Sequence, residues 1–231
     1  MQANSRPVTS SQTGVHERLA AVISRHAGTP FRKPIADYNR AAFDAGMAAW
    51  RAAGEPPLIL DAGCGVGLST WHLAAQFADH FVIGVDQSAD RIGRNIRWDG
   101  APPGNALHLR ADLVDFWRLL EDAGVRLARH YLLYPNPWPK PGQLQRRWHG
   151  HPVFLSVVSL GGVLECRSNW KIYVDECAAA LAMLTGATLV SERWLPEVAI
   201  TPFEQKYRDS GHALWRCKAD ITHQAARQVL L

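Results

Sequence analysis

The chain has 231 residues, 47% of them hydrophobic and 20% charged, a balance that is typical of a globular protein and excludes wholesale disorder. Its length predicts one large domain, and its net charge of +4 suits an RNA partner without requiring one. No apolar run approaches the ~20 residues of a membrane span, and no secretory signal is visible. The chain is therefore expected in the cytoplasm, without a membrane partner, as a monomer or homodimer.

Two groups of side chains could bind a metal, and neither has the spacing that a metal site requires. The four cysteines lie far apart in the chain with no C-x-x-C pair, so neither a zinc site nor a disulfide framework is predicted. His149 and His151 stand close together, but no third ligand is evident beside them. No metal site is predicted.

The first 56 residues precede the regular part of the chain. Residues 1–13 are polar and rich in serine and threonine, which predicts a flexible tail. Within residues 14–56, the helical spacing of apolar side chains predicts one helix over 15–26 and another over 37–52. These two N-terminal helices are expected to precede a larger domain over residues 57–231.

From residue 57 onward, short apolar runs alternate with segments of helical periodicity. The predicted strands cover 58–60, 81–85, 106–110, 131–134, 162–166, 188–193 and 213–218. The predicted helices between them cover 68–77, 89–98, 114–123, 154–160 and 174–184. Repeated strand–helix units predict an α/β fold, a doubly wound and mostly parallel sheet with helices on both faces. Ligands of such sheets bind beyond the carboxyl ends of the strands, so the candidate sites are the loops there.

The first predicted strand ends in a glycine-rich loop, D-A-G-C-G-V-G over 61–67, which leads directly into a helix. The dinucleotide fingerprint G-x-G-x-x-G is not met, because its third glycine would fall on Leu68. The spacing G-x-G-x-G, with an acid two residues ahead, resembles the loop of S-adenosylmethionine-dependent methyltransferases. The resemblance implies that Asp61 accepts from the cofactor's ammonium, while Gly63 and Gly65 pass beneath its sulfonium and ribose.

Two further acids close the next two predicted strands. Asp86 is positioned to accept from ribose hydroxyls and Asp112 from an adenine amine, and Gln87 and Leu113, which follow them, are assigned to the same site. An aspartate at a strand end can also simply cap the following helix. Three such acids together with the glycine loop favour a cofactor site and predict a Rossmann-like class I methyltransferase fold.

A proline-rich loop, Y-P-N-P-W-P-K over 134–140, follows the fourth predicted strand. Its three prolines reduce the entropy that ordering the loop would cost, which is typical of a preorganised site. Trp138 offers a stacking face, and Lys140, Arg146 and Arg147 offer contacts to phosphates. The alternative interpretation is a rigid, solvated turn. The position of the loop beside the glycine loop favours a substrate site.

Several stretches in fixed order resemble the tRNA (guanine-N7-)-methyltransferases, over roughly residues 58–218. That family carries P-D-P-W-x-K followed by K-R-R, then T-D-W after the fifth strand, then T-K-F-E near the C-terminus. The corresponding stretches here read P-N-P-W-P-K at 135–140 with Q-R-R at 145–147, R-S-N-W at 167–170 and T-P-F-E at 201–204. The resemblance implies S-adenosylmethionine as cofactor, tRNA as partner and N7-methylguanine as product. The nucleotide contacts that it implies are Trp138, Lys140, Arg146, Arg147, Asn169, Thr201, Phe203 and Glu204.

The chain departs from the family at two positions. Asn136 stands where the family has the aspartate proposed to be catalytic, and Asn169 stands where it has a substrate-binding aspartate. The resemblance implies that Asn136 lies at the junction of cofactor and substrate as the catalytic position. Both changes remove a negative charge while keeping the shape of the side chain. A methyltransferase of altered target, acting on an amine or small molecule, and a catalytically weak RNA-binding homologue are therefore the alternatives.

Overall fold

The computed structural model describes residues 5–94 and 98–223, which form a seven-stranded sheet covered by helices. In chain order the strands are β1 (Leu58–Ala62), β2 (Phe81–Asp86), β3 (Ala106–Arg110), β4 (Arg129–Leu133), β5 (Val163–Ser168), β6 (Glu192–Trp194) and β7 (Leu214–Asp220). Their order across the sheet is β3-β2-β1-β4-β5-β7-β6. Strand β7 is antiparallel to β5 and β6, and the other pairs are parallel. The predicted Rossmann-like, doubly wound and mostly parallel α/β fold is confirmed.

The helices lie on both faces of this sheet. They are α1 (Leu19–Ala27), α2 (Asp37–Ala52), α3 (Leu68–Gln76), α4 (Ala89–Ile92), α5 (Leu113–Asp122), α6 (Phe154–Ser159), α7 (Lys171–Thr185) and α8 (Pro202–Asp209), with 3₁₀ turns at Pro141–Arg146 and Trp148–Gly150. None of these helices, within the part of the chain that the structure describes, combines the length and the apolarity that crossing a membrane requires.

Two apolar clusters hold these layers together. Successive side chains of a strand point to opposite faces, so Leu58 and Leu60 of β1 join the larger cluster, which includes residues of α1, α2, α5, α6 and α7. Ile59 faces the other way and packs with Leu73 of α3 in the smaller cluster. Strand β1 is buried along its whole length, which explains why its sequence is a continuous apolar run rather than an alternating one.

Several predicted elements differ in extent from those observed, among them the helix predicted over 15–26, which is α1 and begins only at Leu19. In place of the helix predicted over 89–98, the structure has the single turn α4, which ends at Ile92. Residues 95–97 of that prediction lie outside the described residues. The predicted strand over 188–193 begins later, as β6, and pairs only with β7 at the edge of the sheet. Strand β6 has only three residues, which is too short for a clear alternation of apolar and polar side chains.

Helix α8 is not predicted by the patterns above. Its first residue is Pro202, and the hydroxyl Oγ1 of Thr201 accepts from the backbone N–H of Glu204 at 2.9 Å. A capping threonine followed by proline is a regular signal for a helix start. The helix therefore has a sequence signal, carried by the same T-P-F-E stretch that resembles the family motif.

The segment before α1 differs from the predicted flexible tail. Within residues 5–13, the hydroxyl of Ser10 donates to the carbonyl oxygen of Pro139 at 2.5 Å, and Nε2 of Gln12 donates to Oε1 of Glu176 at 2.6 Å. The segment lies against the rest of the protein because these polar side chains hydrogen-bond to residues there. Composition alone does not indicate such partners.

Helices α1 and α2 share the core of the sheet. Leu19 of α1 and Met47 of α2 are both 1% exposed and belong to the larger cluster. Asn39, buried in α2, donates through Nδ2 to Oδ2 of Asp115 at 2.7 Å, and its Oδ1 accepts from the backbone N–H of Asp112 at 2.8 Å. Helix α2 is thus bonded directly to α5 and to the residue that caps it.

Candidate functional site

A cavity of about 610 Å³ opens at the carboxyl ends of β1, β2 and β4. This is the edge at which doubly wound sheets bind their ligands. The predicted site residues that line it are Gly63, Gly65, Asp86, Gln87, Asp112, Leu113, Asn136, Trp138, Arg146, Thr201 and Phe203. The fold therefore brings the glycine loop, the strand-end acids and the proline-rich loop around one space.

The glycine loop turns back over the end of β2. Gly63, Gly65 and Gly67 have φ values of 83°, 61° and 87°, a region that side chains with a Cβ rarely enter. The backbone N–H of Gly63 donates to the carbonyl oxygen of Val85 at 2.8 Å, which fixes the turn. At Gly67 a Cβ would also collide with the ring of His108. The loop leaves its backbone open to the cavity, where a ligand can approach closely.

Asp61 lies directly beneath the lining of the cavity and is 1% exposed. Its Oδ2 accepts from the hydroxyls of Ser69 at 2.6 Å and Thr70 at 2.8 Å, and Ser69 lines the cavity. Among the described residues its Oδ1 has no hydrogen-bond partner. Burial raises the pKa of Asp61 to about 6, against the lowering effect of the two hydroxyls. A buried acceptor of this kind is suited to a cationic donor such as an ammonium group.

Asp86 and Asp112 are both held by backbone N–H groups at the cavity wall. Oδ1 of Asp86 accepts from Ser88 at 2.8 Å and Oδ2 from Gly65 at 3.1 Å. Oδ1 of Asp112 accepts from Val114 at 2.9 Å, so this acid also caps α5. A carboxylate has about four acceptor positions, and each acid therefore keeps capacity for a ligand hydroxyl or amine.

The proline-rich loop contains two strained residues. Tyr134 and Trp138 have φ values of 52° and 44°, and within the described chain Glu55 is the one other non-glycine residue at positive φ. Such conformations cost about 1–3 kcal/mol and persist where surrounding contacts impose them, often at functional sites. Asn136 lies between them, with its Oδ1 3.4 Å from the backbone nitrogen of Trp138. The guanidinium of Arg146 lies 4.8 Å from the centre of the Trp138 ring.

Unlike Arg146, the other two predicted phosphate contacts, Lys140 and Arg147, do not line the main cavity. Lys140 is exposed but lies outside the main cavity, beside a smaller one of about 340 Å³ shared with residues 9–11. The prediction that Arg147 contacts a phosphate is wrong for this structure, because its side chain is fully buried and paired with Glu176 at 2.5 Å. Its Nε donates instead to the carbonyl oxygen of Trp138 at 3.1 Å.

The prediction that Glu204 contacts the nucleotide is corrected in the same way. Glu204 is fully buried, and its Oε1 accepts from the hydroxyl of Tyr134 at 2.7 Å and from Nε1 of Trp194 at 2.9 Å. Nη1 of Arg167, on strand β5, donates to the same oxygen at 3.1 Å. Glu204 thus anchors Tyr134 at the base of the proline-rich loop rather than facing a ligand.

Asn169 is half-buried and does not line the cavity. Its Nδ2 lies 3.1 Å from Nδ1 of His212, at the start of the segment that leads into β7. Asn169 therefore lies outside the lining of the cavity, and its contact to a nucleotide stays a prediction.

Sequence reasoning missed several side chains of the cavity wall. They are Arg91, Arg94, Gln145, Trp148, His151 and Tyr173. Burial lowers the pKa of His151 to about 4, so its ring is neutral at physiological pH. A signal for this wall was present, because Gln145, Trp148 and His151 directly follow the proline-rich loop in the chain.

Three cysteines that are distant in sequence converge in the core. The sulfur atoms of Cys166, Cys177 and Cys217 all lie within 4.8 Å of one another, and Cys166 stands opposite Cys217 in the β5–β7 register. All three are buried as free thiols and lie outside the cavity lining. Spacing along the chain does not reveal such a cluster, in which the thiols pack as small apolar groups.

Comparison with known proteins identifies the family. A family model described as "Putative methyltransferase" matches residues 55–217, which include both the glycine loop and the proline-rich loop. The chain is 29% identical over 178 residues to a tRNA (guanine-N(7)-)-methyltransferase of Alcanivorax borkumensis, 27% identical over 173 residues to one of Stutzerimonas stutzeri, and 25% identical over 171 residues to one of Shigella dysenteriae. Each match covers 70% of this chain and 71% of the relative.

Solved structures agree with this at the level of the fold. An antibiotic-related methyltransferase superposes with a TM-score of 0.54 at 12% identity, covering 84% of this chain and 98% of the other. The 16S rRNA methyltransferase KamB superposes with a TM-score of 0.51 at 17% identity, covering 82% and 95%. Because the family model spans well over half of the sequence, the chain belongs to this methyltransferase family.

Proposed function

We propose that the protein transfers the methyl group of S-adenosylmethionine to tRNA and forms N7-methylguanine. The observation that carries this proposal is the single cavity in which the glycine loop, two strand-end acids and the strained proline-rich loop meet. The names of the three bacterial relatives support tRNA as substrate and guanine N7 as target. A tRNA substrate and four free thiols suit the cytoplasm as the place of action.

The residues of the cavity fit S-adenosylmethionine. Asp61 would hold the ammonium group through its free oxygen, Asp86 the ribose hydroxyls, and Asp112 with Leu113 the adenine. When bound, the cofactor supplies an electrophilic methyl group on a positively charged sulfur. The open backbone of Gly63 and Gly65 allows that part of the molecule to lie close to β1.

Guanine N7 carries a free lone pair and loses no proton when it attacks, so the chain needs no general base. Its residues must instead align the base with the methyl group and exclude water. Asn136 lies at the cavity wall where both ligands would meet, and its amide offers one acceptor and two donors to the edge of the base. Trp138 and Phe203 provide apolar faces against which the ring can stack.

The direct test is mass spectrometry of nucleosides from unmodified tRNA after incubation with isotopically labelled S-adenosylmethionine and the protein. The expected product is labelled N7-methylguanosine. A labelled methyl group on another atom would redirect the proposal to an altered target. Cofactor binding without any methylated nucleoside would identify a catalytically silent protein.

The pH dependence of cofactor binding follows from Asp61. Its raised pKa of about 6 means that the carboxylate gains a proton as the pH falls through 6 and then has no charge to offer an ammonium group. Affinity is therefore expected to be constant near pH 7.5 and to fall by up to about tenfold per pH unit below pH 6. Calorimetric titration between pH 5.0 and 7.5 measures this.

Asp61→Asn is the matched control for that experiment. It should bind the cofactor about ten- to a hundredfold more weakly at pH 7.5, because a hydrogen bond to a charged group is worth about 1.5–3 kcal/mol. Its affinity should also lose the acid dependence. A wild-type protein whose affinity is flat down to pH 5.0 would show that Asp61 does not contact the cofactor.

Binding of tRNA is expected to depend on salt through Arg146. Each neutralised phosphate contributes a slope of about −0.7 to −0.9 to a plot of log affinity against log salt concentration. Arg146→Gln should flatten that slope by about one contact, since its guanidinium lies over Trp138 at the cavity wall. Fluorescence anisotropy with labelled tRNA, from about 50 to about 300 mM salt, provides the measurement. An unchanged slope would make Arg146 an ordinary surface charge.

A further inference from the structure

A buried polar cluster lies beneath the proline-rich loop, centred on Arg147 and Glu176. Both side chains are fully buried. Oε2 of Glu176 lies 2.5 Å from Nη1 of Arg147 and 2.8 Å from Nε2 of His149. Oε1 accepts from Nε2 of Gln12 at 2.6 Å and from the backbone N–H of His16 at 3.0 Å. The carboxylate therefore joins α7 to the turn that follows the loop and to the N-terminal segment.

The remaining nitrogens of Arg147 reach the loop from below. Nε donates to the carbonyl oxygen of Trp138 at 3.1 Å, and Nη2 donates to that of Lys140 at 3.4 Å. The carbonyl oxygen between them, on Pro139, accepts from the hydroxyl of Ser10 at 2.5 Å. Three consecutive carbonyls of the loop are thus held from its buried side, and the first belongs to a residue at positive φ.

Arginine suits this position better than lysine. Its planar guanidinium carries five N–H donors, which here reach Glu176, Gln12 and two backbone carbonyls at once. Burial would raise the pKa of Glu176, but the hydrogen bonds and charges of His149 and Arg147 outweigh it and lower that pKa to about 2. The carboxylate of Glu176 is therefore charged throughout the physiological pH range. We call the hydrogen-bonded group of Arg147, Glu176, Ser10 and Gln12 the anchor of the loop.

We propose that Arg147 is a positioning residue that, paired with Glu176 and completed by residues 10–12, holds the proline-rich loop in its strained shape. Neither Arg147 nor Glu176 lines the cavity, and neither do Ser10 and Gln12. It fixes the backbone on the C-terminal side of Asn136 and thereby directs Asn136 and Trp138 to the cavity. The consequence for catalysis rests on the proposed function, whereas the consequence for the loop does not.

The experiment compares wild type with Arg147→Lys in two measurements. Lysine can still pair with Glu176, but it cannot also reach both carbonyls, so the loop is released while the buried carboxylate stays neutralised. We expect kcat for tRNA methylation to fall about ten- to a hundredfold, as for a misplaced reacting group, with the Kd for S-adenosylmethionine changed by less than about twofold. Hydrogen–deuterium exchange of a peptide spanning residues 134–147 is expected to become faster.

One control separates positioning from general stability, and two further variants test the anchor independently of Arg147. Leu120→Ala removes a buried side chain of α5 outside the cavity lining and lowers stability without touching the loop. It should leave exchange of residues 134–147 at the wild-type rate. Ser10→Ala removes one bond of the anchor and Gln12→Ala removes two, both from the half-buried N-terminal segment. These variants carry the test if Arg147→Lys does not fold. Both should speed exchange in the same peptide.

An Arg147→Lys protein with wild-type kcat, or with unchanged exchange over residues 134–147, would overturn the proposal. A fall in kcat matched by Leu120→Ala at equal loss of stability would also overturn it. If wild type itself methylates no tRNA, the proposed function fails. The exchange comparison then still decides whether Arg147 holds the loop.

Discussion

Asn136→Asp is expected to accelerate methyl transfer to guanine N7 by about ten- to a hundredfold, the equivalent of 1.5–3 kcal/mol for a hydrogen bond to a charged group. A carboxylate can accept from both the ring N–H and the amine of guanine, and its charge offsets the positive charge that develops on the base. Asparagine accepts through a single oxygen, which in the structure already lies 3.4 Å from the nitrogen of Trp138. Single-turnover assays on unmodified tRNA measure the difference.

Cofactor affinity serves as the control for this variant. Asp61, Asp86 and Asp112 are unchanged, so the Kd for S-adenosylmethionine should stay within about twofold of wild type. If wild type already reacts as fast as Asn136→Asp, charge at this position does not limit the rate. If Asn136→Asp reacts more slowly, the site is adapted to an acceptor that a carboxylate repels.

Glu204→Ala is expected to lower the free energy of unfolding by about 3–5 kcal/mol, the cost of removing one partner from a buried ion pair. The change deprives Tyr134, Trp194 and Arg167 of a shared acceptor, and it also leaves the backbone N–H of Ile200 without its partner at 2.9 Å. Tyr134 and Arg167 are themselves buried, so their freed donors gain little contact with water. Urea denaturation followed by tryptophan fluorescence gives the loss.

Two matched variants sharpen this measurement. Glu204→Gln keeps one acceptor oxygen and the shape of the side chain, so it should lose less stability than Glu204→Ala. Glu197→Ala removes an exposed glutamate nearby in the chain and should change stability by no more than about 0.5 kcal/mol. Nε of Arg167 also donates to Oε1 of Glu165 at 2.7 Å. A loss below about 1 kcal/mol for Glu204→Ala would mean that Arg167 is satisfied by Glu165 alone.

The parts of this molecule that were predictable are those whose signal is local. A run such as 58–60 followed by the glycine loop indicates a buried strand and a tight turn without knowledge of any other segment. The acids Asp86 and Asp112 follow from the same logic, since a strand end fixes which edge of the sheet a residue occupies. One cavity receives all of these loops because parallel strands share that edge.

The parts that were not predictable depend on partners from distant segments. Arg147 looks identical to Arg146 in the sequence, yet one is fully buried and the other lines the cavity. The difference comes from Glu176, which lies 29 residues away on helix α7. Glu204 is buried for a similar reason, because Arg167 and Tyr134 reach it from β5 and from the end of β4. Charge and motif position alone assign such residues to the surface.

The hydrogen bonds that Asn39 makes to Asp115 and Asp112 limit where the chain can be divided. The stretch that matches the family begins at residue 55, after both N-terminal helices. A protein shortened to that stretch would leave the buried Asp115 without its amide donor and would expose the apolar side of α5 that Phe43 of α2 covers. We therefore expect the smallest autonomous folding unit to be larger than the region of family resemblance, so that homology is a poor guide to where this protein can be cut.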